Sequence, residues 1–407
     1  MLVGLDTSGL DEHFREHAHR GTGRYISKLW SHLEKLDQSV TQVESVRPML
    51  SSSRWSAEAL VQSYLPFGKA TVSRQLLFPL RLMSKSYRRF DLLHFPAHID
   101  APSWSVRPIA VTVLDLIPVV LSDLYAPEKY TWRFTLGRWL ELQAIRNAQL
   151  IFAISQHTAD DVQRVLGISQ ERIVVTPLGI DENFSVDPNI RGEQKESVLD
   201  RFGVPKGHPT VVYVGGIDQR KNTEGLLGAF ESLCHLWQAQ VNSPQPHLLL
   251  VGKIQSDGLY PRLRERIKNS PFSSLVHETG YVADGELPLL LQSCSVFLFP
   301  SLYEGFGLPP LEAMACGIPV VSSNRSCLPE VLGDAALFFD PEVPDRAAEH
   351  IRDLLLHTEL YQSHRSQGFK QAKKFSWSKT AELTFQGYER FLHNPQWAYP
   401  GEVSKRA

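Results

Sequence analysis

Short apolar runs rich in β-branched residues recur along both halves of the chain. They lie at Leu2–Leu5, Ile109–Val113, Leu150–Ile154, Ile173–Thr176, Thr210–Val214, Leu248–Val251, Val296–Phe299, Pro319–Ser322 and Ala336–Phe339. Longer amphipathic segments separate these runs. Strands that alternate with helices predict parallel sheets covered by helices on both faces. We therefore predict an α/β protein.

The pattern breaks between Leu178 and Asp200, where the chain is polar and shows no hydrophobic period. A length of 407 residues also exceeds one ordinary core. We predict an N-terminal domain over 1–185, a linker over 186–205 and a C-terminal domain over 206–375. A helix over 376–393, capped by Ser376 or Ser378, then precedes a tail over 394–407.

Composition and charge narrow the class of protein. A net charge of −2 favours no nucleic-acid partner, and 43% hydrophobic with 21% charged residues is typical of a soluble globular protein. The four cysteines form no C-x-x-C pair, which favours reduced, buried thiols over zinc ligands or disulfides. Because no signal peptide and no membrane-spanning apolar stretch is visible, we expect a cytoplasmic protein.

The segment 301–321, SLYEGFGLPPLEAMACGIPVV, places two carboxylates in an otherwise apolar stretch. The preceding CSVFLFPS predicts a buried strand, and LEAMACG predicts a helix that ends at Gly317. Pro309 and Pro310 suit the first helical turn. The N–H groups from Gly305 to Leu308 then stand at a helix N-terminus, which is an anion site suited to phosphate.

Glu304 and Glu312 flank this predicted anion site. A carboxylate beside a phosphate repels it unless the carboxylate points elsewhere. Sugar hydroxyls are suitable donors to both groups, and a nucleotide sugar presents ribose, diphosphate and sugar in that order. The alternative interpretation is that both carboxylates only cap helices.

A second segment, VVYVGGIDQRKNTEGLLGAF, predicts a strand, a glycine turn, a basic pair and a helix. Arg220 and Lys221 fall in the loop that follows the strand, where open α/β sheets bind ligands. Two adjacent cations suit a diphosphate. The alternative is a solvated surface pair.

Together these segments resemble the retaining glycosyltransferases of family 4, which have the GT-B fold. YVGGIDQRKN is similar to the family's diphosphate loop, and His277–Pro341 matches almost continuously, with the E-x7-E motif at Glu304 and Glu312. Weaker matches upstream are HRGTGRYISKL, LLHFPAH, VTVLDLIP, FAISQHTADDV and VVTPLGID. The resemblance implies two Rossmann-like domains facing across a cleft, with a C-terminal helix that crosses back to the N-domain.

The resemblance also implies roles for individual residues. Lys221 and Arg220 would bind the donor diphosphate, Glu304 would contact sugar hydroxyls, and Glu312 would bind the ribose. The remaining implied donor contacts are Gly305, Phe306, Gly307 and Leu308 at the sugar and phosphate, Gly21 and Gly23 near the reacting phosphate, and Tyr281 and Val282 at the nucleobase.

Two positions depart from the family. Many relatives carry His-Asp after the strand that ends at Val113, whereas this chain has Leu114 and Asp115. Asp115 stays a catalytic candidate, and His94 is the nearest substitute for the missing histidine by motif order. The alternative for His94 is a role in packing. Relatives also often carry arginine at the donor-loop position of Gly216, a charge that Arg220 could supply.

The implied reaction is retaining transfer of a hexose from a nucleotide sugar to a glycan or lipid-linked acceptor in cell-surface polysaccharide synthesis. The RKN loop and the WSKTAEL tail look most like mannosyl- and rhamnosyltransferases, so GDP-mannose is the first expected donor and a UDP-hexose the second. No D-x-D motif occurs, and no metal or cofactor is expected, because fixed cations and helix N-termini would neutralise the diphosphate. A GT-B phosphorylase or epimerase and an inactive nucleotide-sugar-binding scaffold stay open. A nicotinamide dehydrogenase is disfavoured because GTGRYI lacks the third glycine of its motif.

Residues 69–90, here called the basic segment, combine cations with apolar residues and contain no acidic residue. The cations are Lys69, Arg74, Arg81, Lys85, Arg88 and Arg89. Such a segment can lie on an anionic bilayer, and many family members glycosylate lipid-linked acceptors at the inner leaflet. We predict peripheral contact with the inner face of the plasma membrane. The alternative is a core helix with solvated basic flanks, interrupted at Pro79.

Overall fold

The computed structural model describes residues 1–10, 21–36, 39, 41–47, 78–124, 132–187 and 192–393. The chain divides into two compact units, Met1–Gly179 together with Trp377–Ala407, and Ile180–Ser376. Each unit contains one six-stranded sheet, and the strand pairs are parallel. The predicted α/β architecture with two parallel-sheet units is confirmed.

The sheet of the first unit has the strand order β2-β1-β3-β4-β5-β6. Its strands are β1 (Leu2–Asp6), β2 (Gln42–Val46), β3 (Leu92–Phe95), β4 (Ile109–Val113), β5 (Leu150–Ala153) and β6 (Ile173–Val175). Every residue of β3, β4 and β5 is buried, as expected for central parallel strands. The apolar runs did not predict β2, because this edge strand is half polar. They did not include β3 either, a run of four residues that contains His94.

The sheet of the second unit has the strand order β12-β11-β10-β7-β8-β9. Its strands are β7 (Thr210–Val214), β8 (His247–Val251), β9 (Val276–Gly280), β10 (Val296–Phe299), β11 (Val320–Ser323) and β12 (Ala336–Phe339). The chain runs from β7 outward to β9 and then returns to β10 on the other side of β7. The carboxyl ends of β7 and β10 therefore form the topological switch point, where open α/β sheets bind ligands.

Helices connect these strands in both units. In chain order the described α-helices are α1 (Gly21–Leu33), α2 (Phe78–Arg81), α3 (Lys85–Arg88), α4 (Ile117–Val120), α5 (Trp132–Asn147), α6 (Gln156–Leu166), α7 (Gly192–Asp200), α8 (Thr223–Gln240), α9 (Tyr260–Lys268), α10 (Leu287–Ser293), α11 (Leu308–Ala315), α12 (Leu328–Leu332), α13 (Pro344–Leu356), α14 (Thr358–Ala372) and α15 (Trp377–His393). Within the described ranges, none of them combines the length and apolarity that crossing a membrane requires.

Helix α7 lies inside the stretch predicted to be a linker, where the polar sequence shows no hydrophobic period. Its sequence, GEQKESVLD, is mostly strong helix formers, and Glu193 lies in the first turn, where a negative charge favours the helix dipole. The helix packs against α10 of the same unit. The division between the units falls after Gly179, a few residues before the predicted domain end at 185.

Helix α15 belongs to the first unit, as predicted for a C-terminal helix that returns to the N-domain. Thr380 Oγ1 donates a hydrogen bond to the Pro177 carbonyl at 2.6 Å. A Cβ at Gly387 would lie 2.5 Å from a ring carbon of Phe152, so the helix backbone lies directly on β5. The buried ring of Tyr388 meets the same phenylalanine edge to face at 5.7 Å.

Candidate functional site

Three charged side chains meet at the switch point of the second unit. Lys221 Nζ donates to Glu304 Oε1 at 2.6 Å, and Arg220 Nη1 donates to Glu304 Oε2 at 2.8 Å. The two cations follow β7 in a short 3-10 turn, Gln219–Lys221, while Glu304 follows β10. We call Arg220, Lys221 and Glu304 the triad. Sequence reasoning predicted all three residues for one site, and their side chains are in direct contact.

The triad is largely shielded from solvent. Lys221 and Glu304 are 9% and 8% exposed, and Lys221 Nζ also lies 5.1 Å from the centre of the Phe299 ring. Burial alone would raise the pKa of the Glu304 carboxyl. The charges of Lys221 and Arg220 and the hydrogen bond from Lys221 outweigh burial and lower this pKa below its usual value. Glu304 is therefore a carboxylate at neutral pH.

Arg220 is held from several sides. Its Nη1 also donates to the Tyr303 carbonyl at 3.1 Å, and its Nε lies 3.3 Å from Asp218 Oδ2. The other oxygen of Asp218 accepts the main-chain N–H of Arg220 at 2.9 Å and caps the 3-10 turn. Asp218 was not predicted as a site residue. Its position two residues before Arg220, in a turn after a strand, is the signal of a capping aspartate that could have indicated it.

The loop after Glu304 leads directly into α11. Gly305 and Phe306 are buried, and the Phe306 ring meets Phe375 edge to face at 5.6 Å. Gly307 has φ +93° and precedes Leu308, the first helical residue. A Cβ at Gly307 would lie 2.8 Å from a methyl carbon of Leu328, so both backbone and space require glycine. The main-chain N–H groups at the start of α11 stand at a helix N-terminus, the geometry expected for an anion site.

Glu312 lies in the second turn of α11 and is 4% exposed. Helix α11 begins at Leu308, and Pro309 and Pro310 lie in its first turn, as predicted. Gly317 follows the helix with φ +79°, as predicted for a glycine that ends a helix.

The predicted nucleobase contacts follow β9 at the edge of the same sheet. The Tyr281 ring is exposed, and Lys253 Nζ lies 4.6 Å from its centre. Val282 is buried beside it. Gly216 lies in the turn after β7, where its carbonyl accepts a hydrogen bond from Tyr213 at 2.6 Å. Open space surrounds the position of a Cβ at Gly216, so a side chain can begin there without a clash.

His94 lies in the interior of the first unit. Its Nδ1 is 2.6 Å from the Tyr388 hydroxyl and its Nε2 is 2.8 Å from the Thr112 hydroxyl. Complete burial lowers the pKa of His94 to about 3. Tyr25 joins the same network through Thr112 at 3.0 Å. Because both ring nitrogens are engaged in the core, the geometry favours the packing role that was the alternative to catalysis.

The other candidates of the first unit lie at element ends. Gly21 and Gly23 form the start of α1, with open space around the Cβ position of Gly21. Residues 11–20, which hold the first part of the predicted glycine loop, lie outside the described residues. Asp115 Oδ1 accepts the N–H of Ile117 at 3.1 Å, at the start of α4.

Two further predictions concern residues away from these sites. The four cysteines are buried free thiols. Positions 69–77 of the basic segment lie outside the described residues. The rest of the segment contains two short helices, α2, which includes Pro79, and α3, which begins at Lys85. Leu82 and Phe90 are buried, whereas Leu80 and Met83 are exposed. Contact with the membrane stays a prediction.

Two protein families match the chain. The family described as Glycosyltransferase Family 4 matches residues 19–184, and the family described as Glycosyl transferases group 1 matches residues 194–371. Strands β2 to β6 lie within the first stretch, and the whole second sheet and the triad lie within the second. The chain belongs to the family 4 glycosyltransferases and has the GT-B fold.

Two similar proteins are bacterial mannosyltransferases. The chain is 31% identical to the serotype-specific mannosyltransferase WbdA of Escherichia coli over 289 residues, which are 71% of this chain and 34% of WbdA. It is 33% identical to the O-antigen chain mannosyltransferase B of Escherichia coli over 248 residues, or 61% of this chain and 62% of that protein. The chain therefore matches about a third of WbdA and less than two thirds of the second relative.

A solved structure shows the same fold. HepE of Anabaena, crystallised with UDP and glucose, has a TM-score of 0.68 to this chain at 17% identity. The superposition covers 96% of this chain and 99% of HepE. At this identity the likeness establishes the fold alone.

Proposed function

We propose that the chain transfers a hexose from a nucleotide-diphosphate sugar to a hydroxyl of a glycan or lipid-linked acceptor, with retention of anomeric configuration. The observation that carries the proposal is the triad at the switch point, beside the N-terminus of α11. A buried carboxylate held by two cations, next to main-chain N–H groups, provides donors for a diphosphate and an acceptor for sugar hydroxyls.

The charge balance of the triad suits a leaving diphosphate. Within the triad, Lys221 and Arg220 exceed the charge of Glu304 by one positive charge, and Asp218 also contacts Arg220 at 3.3 Å. Lys221 Nζ carries three N–H donors, of which one serves Glu304. The fixed cations and the N-terminus of α11 would stabilise the charge that develops on the leaving phosphate.

The reaction that fits these groups is a same-face displacement. The acceptor hydroxyl oxygen forms a bond to the anomeric carbon while the bond from that carbon to the phosphate oxygen breaks. The leaving phosphate oxygen takes the acceptor proton. Glu304 accepts hydrogen bonds from the sugar hydroxyls and fixes the ring, so the protein contributes positioning and electrostatic stabilisation.

GDP-mannose is the first proposed donor. The relatives named as mannosyltransferases support it, and the UDP and glucose bound to HepE support a UDP-hexose as the second choice. The O-antigen names support a surface polysaccharide as the product. A panel of nucleotide sugars separates the donors by thermal shift, since a donor at 100 times its Kd stabilises by about 2.7 kcal/mol.

Product analysis tests the reaction class. Incubation with the best donor and a mannose-terminated oligosaccharide should yield a lengthened glycan with an α-linkage and release the nucleoside diphosphate. A β-linked product would refute retention. Sugar phosphate as the product would indicate a phosphorylase, an isomerised nucleotide sugar an epimerase, and tight donor binding without turnover an inactive scaffold.

Transfer should not require a metal ion, because the triad supplies the positive charge at the diphosphate. Activity should therefore persist in excess chelator. A loss that magnesium or manganese restores would show that another group neutralises the phosphates.

A further inference from the structure

Among the described residues, positive φ angles outside glycine occur at two positions, Asn222 and Ser326, both at +53°. L-residues rarely adopt this conformation, and strain of this kind persists where the surrounding structure imposes it. Both residues adjoin the triad. Asn222 directly follows Lys221, and Ser326 contacts Glu304.

Ser326 and its neighbour Cys327 bind both polar groups of the Glu304 main chain. Ser326 Oγ accepts the N–H of Glu304 at 3.0 Å, and Cys327 Sγ donates to the carbonyl of Glu304 at 3.1 Å. Consecutive side chains in an extended segment would point to opposite sides. The left-handed turn at Ser326 brings both side chains onto the same residue. We call this pair of contacts the clamp.

The clamp fixes the backbone from which the Glu304 carboxylate projects. Cys327 is completely buried, so water cannot replace the Glu304 carbonyl as the acceptor of its thiol hydrogen bond. The carboxylate is held at its other end by Lys221 and Arg220. Glu304 is thus restrained at both main chain and side chain, as precise contact with a sugar would require.

We propose that Ser326 and Cys327 are positioning residues that aim Glu304 at the donor sugar. The inference rests on the proposed function, because it assumes that Glu304 contacts the donor. Glycine would adopt φ +53° without strain. A serine at this position therefore retains strain in exchange for its hydroxyl, which binds the Glu304 N–H.

Ser326→Gly separates the two effects. Its melting temperature should equal or exceed that of the wild type, because glycine relieves the strain. Its kcat should fall by about tenfold or more, or ~1.4 kcal/mol, with a smaller change in the donor KM. Hydrogen exchange of the peptide over 300–308 should become faster, because the Glu304 N–H loses its acceptor.

Two further variants complete the test. Ser326→Thr keeps the hydroxyl but places a β-branched residue at positive φ, so it should lower the melting temperature and return kcat to within about threefold of the wild type, or ~0.6 kcal/mol. Asn222→Gly also removes strain, but Asn222 caps α8 and donates to the carbonyls of Pro300 and Pro341. We therefore expect Asn222→Gly to lower the melting temperature.

An unchanged kcat and unchanged hydrogen exchange in Ser326→Gly would overturn the clamp and leave the proposed function standing. If kcat and melting temperature both fall in Ser326→Gly and kcat is not restored in Ser326→Thr, Ser326 has a merely structural role. That outcome would also overturn the clamp. A wild type that transfers no sugar would instead refute the proposed function. In that case the hydrogen-exchange comparison still decides whether Ser326 holds Glu304.

Discussion

Replacing Glu304 with glutamine tests the triad directly, because glutamine keeps the shape and removes the charge. Removing one partner of a fully buried ion pair costs about 3–5 kcal/mol. The Arg220 and Lys221 side chains keep 18% and 11% exposure, and the amide oxygen of glutamine still accepts one N–H. We therefore expect Glu304→Gln to lower the free energy of unfolding by about 2–3 kcal/mol. Two largely buried contacts, from Lys221 and Arg220, depend on this carboxylate.

The affinity for a free nucleoside diphosphate should change in the opposite direction. In the wild type, the Glu304 carboxylate engages both cations that the diphosphate would bind. Without that carboxylate the site carries one more net positive charge. We expect GDP to bind Glu304→Gln roughly tenfold more tightly, or ~1.4 kcal/mol. Transfer should nevertheless fall below about a tenth of wild-type turnover, because the sugar hydroxyls lose their charged acceptor.

Calorimetry with GDP, chemical denaturation and a transfer assay measure the three effects on the same samples. Glu231→Gln is the matched control, since Glu231 forms a paired contact with Arg266 at 2.7 and 2.6 Å in the same unit. The control should lose stability without gaining affinity for GDP. Weaker or unchanged GDP binding in Glu304→Gln would refute the competition between the carboxylate and the diphosphate. Full turnover would refute the role of Glu304.

Lys221→Ala should weaken the binding of both the nucleotide sugar and the free nucleoside diphosphate in calorimetry. Lys268→Ala, which replaces an exposed lysine of α9, should change neither affinity. Affinities equal to those of the wild type would show that Lys221 has only a structural role. The folded-state pKa of His94, about 3, lies below its usual value of 6.5. The contribution of neutral His94 to the free energy of unfolding is therefore fully present above pH 6.5. It is lost as pH falls, and the loss reaches about 2 kcal/mol at pH 5. His94→Gln should flatten the loss of stability between pH 7 and pH 5, and an unchanged slope in denaturation curves would contradict this. Binding to anionic vesicles should fall with salt and when the four cations of the basic segment after Pro79 become serine, and equal flotation with neutral vesicles would contradict the membrane prediction.

The fold could be predicted from the sequence where strands are central and apolar. Runs such as Ile109–Val113 and Val296–Phe299 coincide with β4 and β10, because buried parallel strands need apolar residues on both faces. Three strands were missed, β2, β3 and β9. Strands β2 and β9 are edge strands with partly exposed, polar sequences, whereas β3 is central and buried but has only four residues, one of them His94. Helix α7 was missed for a related reason, since one packed face among polar residues leaves little hydrophobic period.

The sequence predicted those charged residues of the candidate site that lie in loops directly after predicted strands. Arg220, Lys221 and Glu304 each come a few residues after a strand end, and the adjacency of β7 and β10 brings them together. Residues that act through the backbone carried no comparable signal. Ser326 follows β11, one strand further along the sheet, and its role depends on a backbone angle that its residue type does not suggest.

The sequence places a carboxylate, Glu304, beside a predicted phosphate site, although a carboxylate and a phosphate repel each other. The geometry resolves this repulsion through charge balance, since Glu304 does not stand alone but is engaged by two cations. A diphosphate that enters this site meets two cations and a helix N-terminus rather than an isolated anion. Binding would then draw Lys221 and Arg220 partly away from Glu304. The carboxylate gains capacity for sugar hydroxyls as the phosphates take over the cations, so occupancy of the diphosphate site would itself prepare the sugar contact.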